Sequence, residues 1–442
     1  MDANRVSSFS RFTLGFAILT GGLSAQASSL SVDVIPSQSV IHADHKQRVF
    51  VKIGLTGGAM QVHHRAAANI AIVLDKSGSM SGIKMIRAKQ AAIMAVNRLS
   101  RSDVVSIIAY SGHVEVIQPA TRAADKELVT ESIRRIRASG STALFAGVTR
   151  GASELRKYLQ RNQINRVILL SDGQANVGPR TPYELGQLGS ELSELGISVT
   201  TIGLGLGYNE DLMTKLASTS GGNHAFVENA NDLARIFNQE FNDVLSVVAS
   251  NASINIICQP GVRPIRVFGH KASISGQTIN VKINQVYSKQ QKYVIVELEV
   301  PANKHGSNVT LANIKTSYRD LKTKKRALNS QVLTLRYDHS IKRSKASLNN
   351  KVMSSAIEYI AIRKSQQAIK LRDAGKPRAA RRAMQKNAQW LSHNAKRYKS
   401  KKLKDYAAEQ NKASERIASP SWNRTRKELR KSDYSRSVQQ SF

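Results

Sequence analysis

The sequence predicts an α/β protein: a doubly wound, mostly parallel sheet, joined to an antiparallel β-sandwich domain and followed by a basic helical C-terminal module. Three observations carry this. Between residues 66 and 248, short β-branched apolar runs alternate with helical patterns, and such alternation builds a parallel sheet covered on both faces. Residues 249–340 are strand-like throughout, with turn residues at sandwich-like spacing. From about Asn349 the periodicity is helical and the composition strongly basic.

Residues 1–27 read as a signal peptide. Arg5 and Arg11 supply positive charge, "FTLGFAILTGGLSA" an apolar run, and Ala25-Gln26-Ala27 a cleavage site. The run is too short and Gly-rich to span a bilayer well. No later segment is apolar enough, so no transmembrane segment is expected in a mature chain that would start near Ser28. The expected location is periplasmic or secreted. Residues 28–65 contain two alternating runs, "LSVDVIPSQSVI" and "QRVFVKIGL". They match the texture of residues 249–340 and are expected to complete the sandwich, with the α/β unit inserted into it.

In the α/β unit, residues 66–248, "ANIAIVL", "DVVSIIAY", "NRVILLS" and "ISVTTIGLGL" read as strands. Helices are expected over Lys84–Leu99, Lys126–Arg137, Leu144–Gln160, Tyr183–Leu195 and Asp211–Ser218. The basic helical module, residues 341–417, shows an apolar stripe at Ile357, Ile360, Ala361, Ala368 and Leu371. A stop follows at Gly375, and Pro377 opens the next helix. That helix carries Met384 and Trp390-Leu391, and a weaker one runs from Lys402 to Ile417. Residues 418–442 are polar and read as a disordered tail.

The net charge is +35 and the isoelectric point about 10.4, which favours anionic partners and says nothing of fold. From Lys351 onward basic residues outnumber acidic ones roughly three to one. An anionic envelope surface is therefore a candidate partner for the tail. Nucleic acid is not expected: Tyr398, Tyr406 and Trp422 are too scattered for a stacking platform. Cys258 is the single cysteine, which excludes an internal disulfide.

The chemistry concentrates where apolar strands end. "IAIVLDKSGSMSG" closes its run on Asp75, Ser77 and Ser79, with Gly78 and Gly82 allowing a tight loop. In a doubly wound sheet, ligands bind beyond the carboxyl ends of the strands, and a small hard divalent cation takes oxygen ligands of these kinds. Helix capping is the competing explanation for such serines. Two further segments favour the cation: "ASGSTALFAG" places Thr142 before a helix, and "RVILLSDGQANVG" ends a second strand on Ser171-Asp172-Gly173.

In order and spacing, these three segments resemble the metal-ion-dependent adhesion site of von Willebrand factor type A (VWA) domains. The resemblance covers roughly Ala68 to Val248, and the flanking strands and helical tail resemble bacterial exported VWA proteins. It implies a Rossmann-like VWA fold and a ligand set. Ser77 and Ser79 would ligate directly, Thr142 directly or through water, and Asp75 and Asp172 largely through water. The ion implied is Mg²⁺, with Mn²⁺ or Ca²⁺ as alternatives. A protein ligand would supply an acidic residue to the open coordination position. The function expected is metal-dependent protein–protein binding or adhesion at the cell envelope; the alternative is a polyanion-binding envelope protein acting through the basic helices. Lys76 is expected to point away from the ion.

No enzyme is expected. None of the three loops holds a His, and nucleophilic or metal-assisted hydrolysis needs a base within reach. His113 and His224 read as structural or surface residues, and His63-His64 lacks a third ligand at zinc spacing. "GLGLGYNED" lacks the Lys-Ser/Thr of a phosphate loop and reads as a strand end and turn.

Overall fold

The computed structural model describes residues 29–60 and 65–440. The expected signal peptide and His63-His64 lie outside them. The chain opens with strands β1 (Leu30–Pro36), β2 (Val40–His42) and β3 (Gln47–Gly57). The α/β unit follows: β4 (Ala68–Asp75), α1 (Ile83–Asn97), β5 (Val104–Tyr110), β6 (Val114–Arg122), α2 (Lys126–Arg134), α3 (Leu144–Arg156), β7 (Ile164–Ser171), α4 (Pro182–Glu194), β8 (Ile197–Leu204), α5 (Glu210–Ser220), β9 (His224–Val227) and α6 (Leu233–Leu245). Seven strands come next: β10 (Val247–Cys258), β11 (Arg263–Phe268), β12 (Ala272–Ser275), β13 (Thr278–Tyr287), β14 (Gln291–Val300), β15 (Asn308–Asp320) and β16 (Arg326–Asp338). Helices α7 (Ile341–Ala346), α8 (Asn350–Asp373), α9 (Pro377–Arg397), α10 (Lys401–Arg416) and α11 (Trp422–Val438) close the chain.

The α/β sheet runs β6-β5-β4-β7-β8-β9, parallel except for β6 against β5. Every residue of β4, β5, β7 and β8 is buried, because helices cover both faces. Strand alternation divides β4 between two cores. Ile70, Ile72 and Leu74 pack with Met85 and Ala88 of α1, Ile133 of α2 and Phe237 of α6. Ala71 and Val73 face Val148 of α3, Leu188 of α4 and Leu212 of α5. Helix α3 lies close on β4 because Gly151 has no side chain; a methyl there would come within 2.7 Å of Val73. The edge strand β6 is absent from the sequence reading. It is half exposed and carries Pro119, which an edge strand tolerates and a central one does not.

The sandwich consists of a four-stranded sheet, β1-β3-β14-β11, and a six-stranded one, β12-β13-β10-β15-β16-β2. Pairing is antiparallel except for β2, which runs parallel to β16. Strand β3 lies between β1 and β14, with Ile53 opposite Val294. Val51 and Ile53 share one core with Ile254, Ile256 and Val281. The early strands thus complete the sheet sequentially entered some two hundred residues later. On the outer face of that sheet, Phe268, Tyr293 and Ile295 pack against Ala356 and Tyr359 of α8.

The disordered tail expected over 418–442 is corrected. Residues 422–438 form α11, which buries Trp422, Leu429 and Tyr434. Its low apolar content hid it, because its cations are matched elsewhere in the chain. Arg426 pairs with Glu210, Asp211 and Asp373, Lys427 with Glu210, and Arg430 with Asp211. Among the described residues no helix is long and apolar enough to cross a membrane.

Candidate functional site

Strands β4 and β7 are parallel neighbours, so Asp75 and the Ser171-Asp172 pair leave the sheet on the same edge. Asp75 anchors its own loop. Its Oδ1 accepts from the Ser77 amide at 2.8 Å, and its Oδ2 accepts from Ser171 Oγ at 2.7 Å. The two serines of the first loop touch, with Ser77 Oγ 3.1 Å from Ser79 Oγ. Ser79 Oγ donates to Asp172 Oδ1 at 2.7 Å, joining the first and third loops.

The second loop is stitched to both others. The Gly78 amide donates to the Gly140 carbonyl at 3.0 Å, and the Thr142 amide to Asn176 Oδ1 at 2.7 Å. A methyl on Gly173 would stand 3.3 Å from Thr142 Oγ1 and 3.7 Å from Ser79 Oγ. Asp75, Ser77, Ser79, Thr142 and Asp172 therefore gather at one mouth of the sheet, although they come from three separate segments.

Electrostatics sharpens the picture. The Asp75 side chain is fully buried. Burial pushes its carboxyl up, the hydrogen bonds from Ser77 and Ser171 oppose this, and the nearby Asp172 charge adds to it. No Lys, Arg or His pairs with Asp75 among the described residues. Asp172 is buried too but has a partner, the Lys84 ammonium, which also donates to the Ser79 carbonyl at 3.2 Å. A buried carboxylate without a cation is costly. The donor set, two carboxylates and three hydroxyls with no nitrogen or sulfur, suits a hard divalent cation. Among the described residues no three His, Cys, Asp or Glu converge, so any such site draws on hydroxyls.

Lys76 is turned away: its Nζ lies 3.2 Å from Glu115 on β6. His224 is buried and structural. Its Nδ1 is 2.9 Å from Thr201 Oγ1, and burial pushes its pKa down to about 3. The "GLGLGYNED" turn abuts the site's third loop, with Gln174 Nε2 donating to the Gly207 carbonyl at 2.5 Å.

Sequence reasoning named Ser171 only as part of a strand end and missed Lys84, Asn176 and Tyr110, whose hydroxyl lies 3.4 Å from Asp75 Oδ2. Ser171 adjoins Asp172, and a hydroxyl beside a strand-end carboxylate was a usable signal. Lys84 carried none, because a lysine in the first turn of a helix is more often solvated.

A family model described as von Willebrand factor type A domain matches residues 69–239. The uncharacterized protein YfbK of Escherichia coli (strain K12) is 26% identical over 230 residues, 51% of this chain and 40% of its own length. The uncharacterized protein sll0103 of Synechocystis is 24% identical over 281 residues, 61% of this chain and 66% of its own. Human inter-alpha-trypsin inhibitor heavy chain H3 is 30% identical over 149 residues, 32% of this chain and 16% of its own. The chain thus spans less than two thirds of the length of these relatives. Among solved structures, the von Willebrand factor type A protein from Catenulispora acidiphila superposes with a TM-score of 0.69 at 16% identity, over 86% of this chain and 90% of that one. The ArnB paralog VWA2 from Sulfolobus acidocaldarius gives 0.64 at 17%, over 92% and 98%. At these identities the superpositions speak to fold, and with the family match they agree on one conclusion: the α/β unit of this chain is a von Willebrand factor type A domain.

Proposed function

We propose that this chain is an exported binding protein whose VWA domain recognises a protein partner through a shared divalent cation, Mg²⁺ in the first instance. Asp75, Ser77, Ser79, Thr142 and Asp172 would hold the ion. Bound there, it would supply an electrophilic position for an acidic side chain of the partner. The carrying observation is a fully buried Asp75, without a cationic partner among the described residues, set beside three hydroxyls and a second carboxylate. Ser77, Ser79 and Thr142 contribute neutral oxygens, so few protein charges would quench the ion. Asp75 organises its loop through the Ser77 amide, and Ser171 fixes the orientation of its second oxygen. A binding role rather than catalysis is favoured because the three loops hold no His or Cys, and both carboxylates are already engaged in organising the loops.

The test compares thermal melting of the wild type, Asp75→Ala and Thr142→Ala with and without Mg²⁺. A ligand bound only by the native state adds RT ln(1 + [L]/Kd), about 2.7 kcal/mol at a hundredfold excess over Kd. The wild type should gain melting temperature and both variants should not. Equal gains in all three would remove the site. A pull-down from envelope extract, with and without EDTA, then identifies the partner.

A further inference from the structure

Between Asp373 and Asp405 the sequence holds eleven Lys and Arg and no Asp or Glu. The structure turns this run into a surface. Helix α9, 21 residues long, buries Ala380, Met384, Ala388 and Leu391 against its neighbours. Its exposed side carries Arg378, Arg381, Arg382, Lys386, Lys396 and Arg397. None of these six forms an ion pair among the described residues. At 1.5 Å per residue the helix presents cations along about 30 Å. On α11, by contrast, Arg426, Lys427, Arg430 and Arg436 all meet carboxylates. Helix α9 holds no carboxylate of its own, so its cations stand as one row beside the edge of α8.

That edge holds a cavity of about 460 Å³ between β11 and α8. Arg266, Arg363, Lys364 and Lys370 line it together with Phe268 and Ile360, two glutamine amides and no carboxylate. Arg266 is engaged by Glu297 at 2.5 Å, whereas Arg363 and Lys370 have no ion-pair partner among the described residues. Lys364 lies over the Trp390 ring at 3.7 Å, which joins the cavity to α9. A walled, cationic recess with two apolar side chains in its lining, opening beside a long cationic helix, suits a phosphate headgroup within an anionic layer. A base-stacking polyanion would want exposed aromatic rings, and Trp390 is half-buried beneath Lys364.

We propose that the β11–α8 cavity and the exposed side of α9 form one site for an anionic phospholipid surface, the cavity taking a headgroup phosphate and α9 lying along the layer. The site lies outside the three loops of the VWA site, and the proposal stands whether or not that site holds a metal. Each Lys or Arg near such a surface acts within about a Debye length, roughly 8 Å at physiological salt.

The experiment is vesicle co-sedimentation of the full chain, with EDTA present throughout to silence divalent cations. Phosphatidylcholine vesicles with and without phosphatidylglycerol are compared for the wild type, Arg363→Glu/Lys370→Glu, Arg381→Glu/Lys386→Glu and a control, Lys304→Glu/Lys325→Glu, on exposed sandwich loops that line neither the cavity nor α9. All three doubles change the net charge equally. The wild type should bind only phosphatidylglycerol vesicles. The cavity and α9 doubles should each lose about tenfold or more in partition, a reversal of two contributing cations, and the control should keep most of its binding. Circular dichroism of each double checks the fold. An equal loss in the control would reduce binding to net charge and overturn the site. So would wild-type partition of both test doubles, or stronger binding to soluble heparin or RNA than to vesicles, which would make the partner a linear polyanion.

Discussion

Lys84 is the residue that most changes the picture of the VWA site. Its ammonium holds Asp172, so a divalent cation sharing that carboxylate meets a tethered positive charge already in place. Lys84→Met keeps the stem and removes the charge. The Mg²⁺ dissociation constant should fall about fivefold, since a partly exposed pair is worth on the order of 1 kcal/mol. The metal-free protein should melt lower, with Asp172 left to Ser79 alone. Isothermal titration and melting measure both, and a weaker Mg²⁺ affinity in the variant would assign Lys84 to metal binding instead. At this scale the sequence was informative where side chain and backbone act locally. Asp75, Ser77 and Ser79 lie within one loop, whose spacing is visible in the chain. Lys84 and Asp172 are 88 residues apart, and no local pattern reports their pairing.

Among the elements, α11 is held by ion pairs as well as by its buried Trp422, Leu429 and Tyr434. Arg426 is largely buried among Glu210, Asp211 and Asp373, and Glu210 and Asp211 open α5, just after the turn that abuts Asp172. Arg426→Ala leaves the buried Glu210 to Lys427 and the half-exposed Asp211 to Arg430 and should cost about 1–2 kcal/mol, read as a lower urea midpoint and as faster proteolysis of α11. The same helix carries a pH dependence. Asp433 is buried beneath α10, accepts from the Tyr406 hydroxyl at 2.6 Å, and has its pKa pushed up to about 7, chiefly by burial. Its folded value exceeds the unfolded one, so the native state binds the extra proton. This group's contribution is therefore full below about pH 4, falls as pH rises through 4 to 7, and is flat beyond. Asp433→Asn should flatten that part of the melting-temperature profile and raise stability at pH 8. A variant profile parallel to the wild type would place the titration elsewhere.

Across the whole molecule, the α/β unit and the sandwich are joined by buried polar contacts as well as by chain crossings. Arg166 of β7 is fully buried, pairs with Glu240 of α6 and donates to the Tyr287 hydroxyl of β13 at 3.0 Å. Strand β3 sits between β1 and β14 and supplies Val49, Val51, Ile53 and Leu55 to the sandwich core. Removing residues 1–57 strips that row and leaves β14 with an open edge, a template for aggregation. The truncated chain should elute as aggregate in size-exclusion chromatography, and limited proteolysis should leave a protected core near residues 66–246. A monodisperse truncated chain with an intact sandwich would show the early strands to be dispensable.

The sequence by itself determined the parallel core of the α/β unit and the three loops that gather at its strand ends. Helices covering both faces make the strands continuous apolar runs, and tight loops at strand ends need Gly, Ser and Asp in a readable order. Tertiary structure decided the rest. Whether a polar, cation-rich segment becomes helix α11 depends on carboxylates more than 200 residues away. The pairing of β3 with β14 depends on an edge formed after the intervening unit. Apolar periodicity is written along the chain because burial acts on each element's own face. Charge complementarity and strand pairing at long separation are written in the partner, and only the folded chain brings the two together.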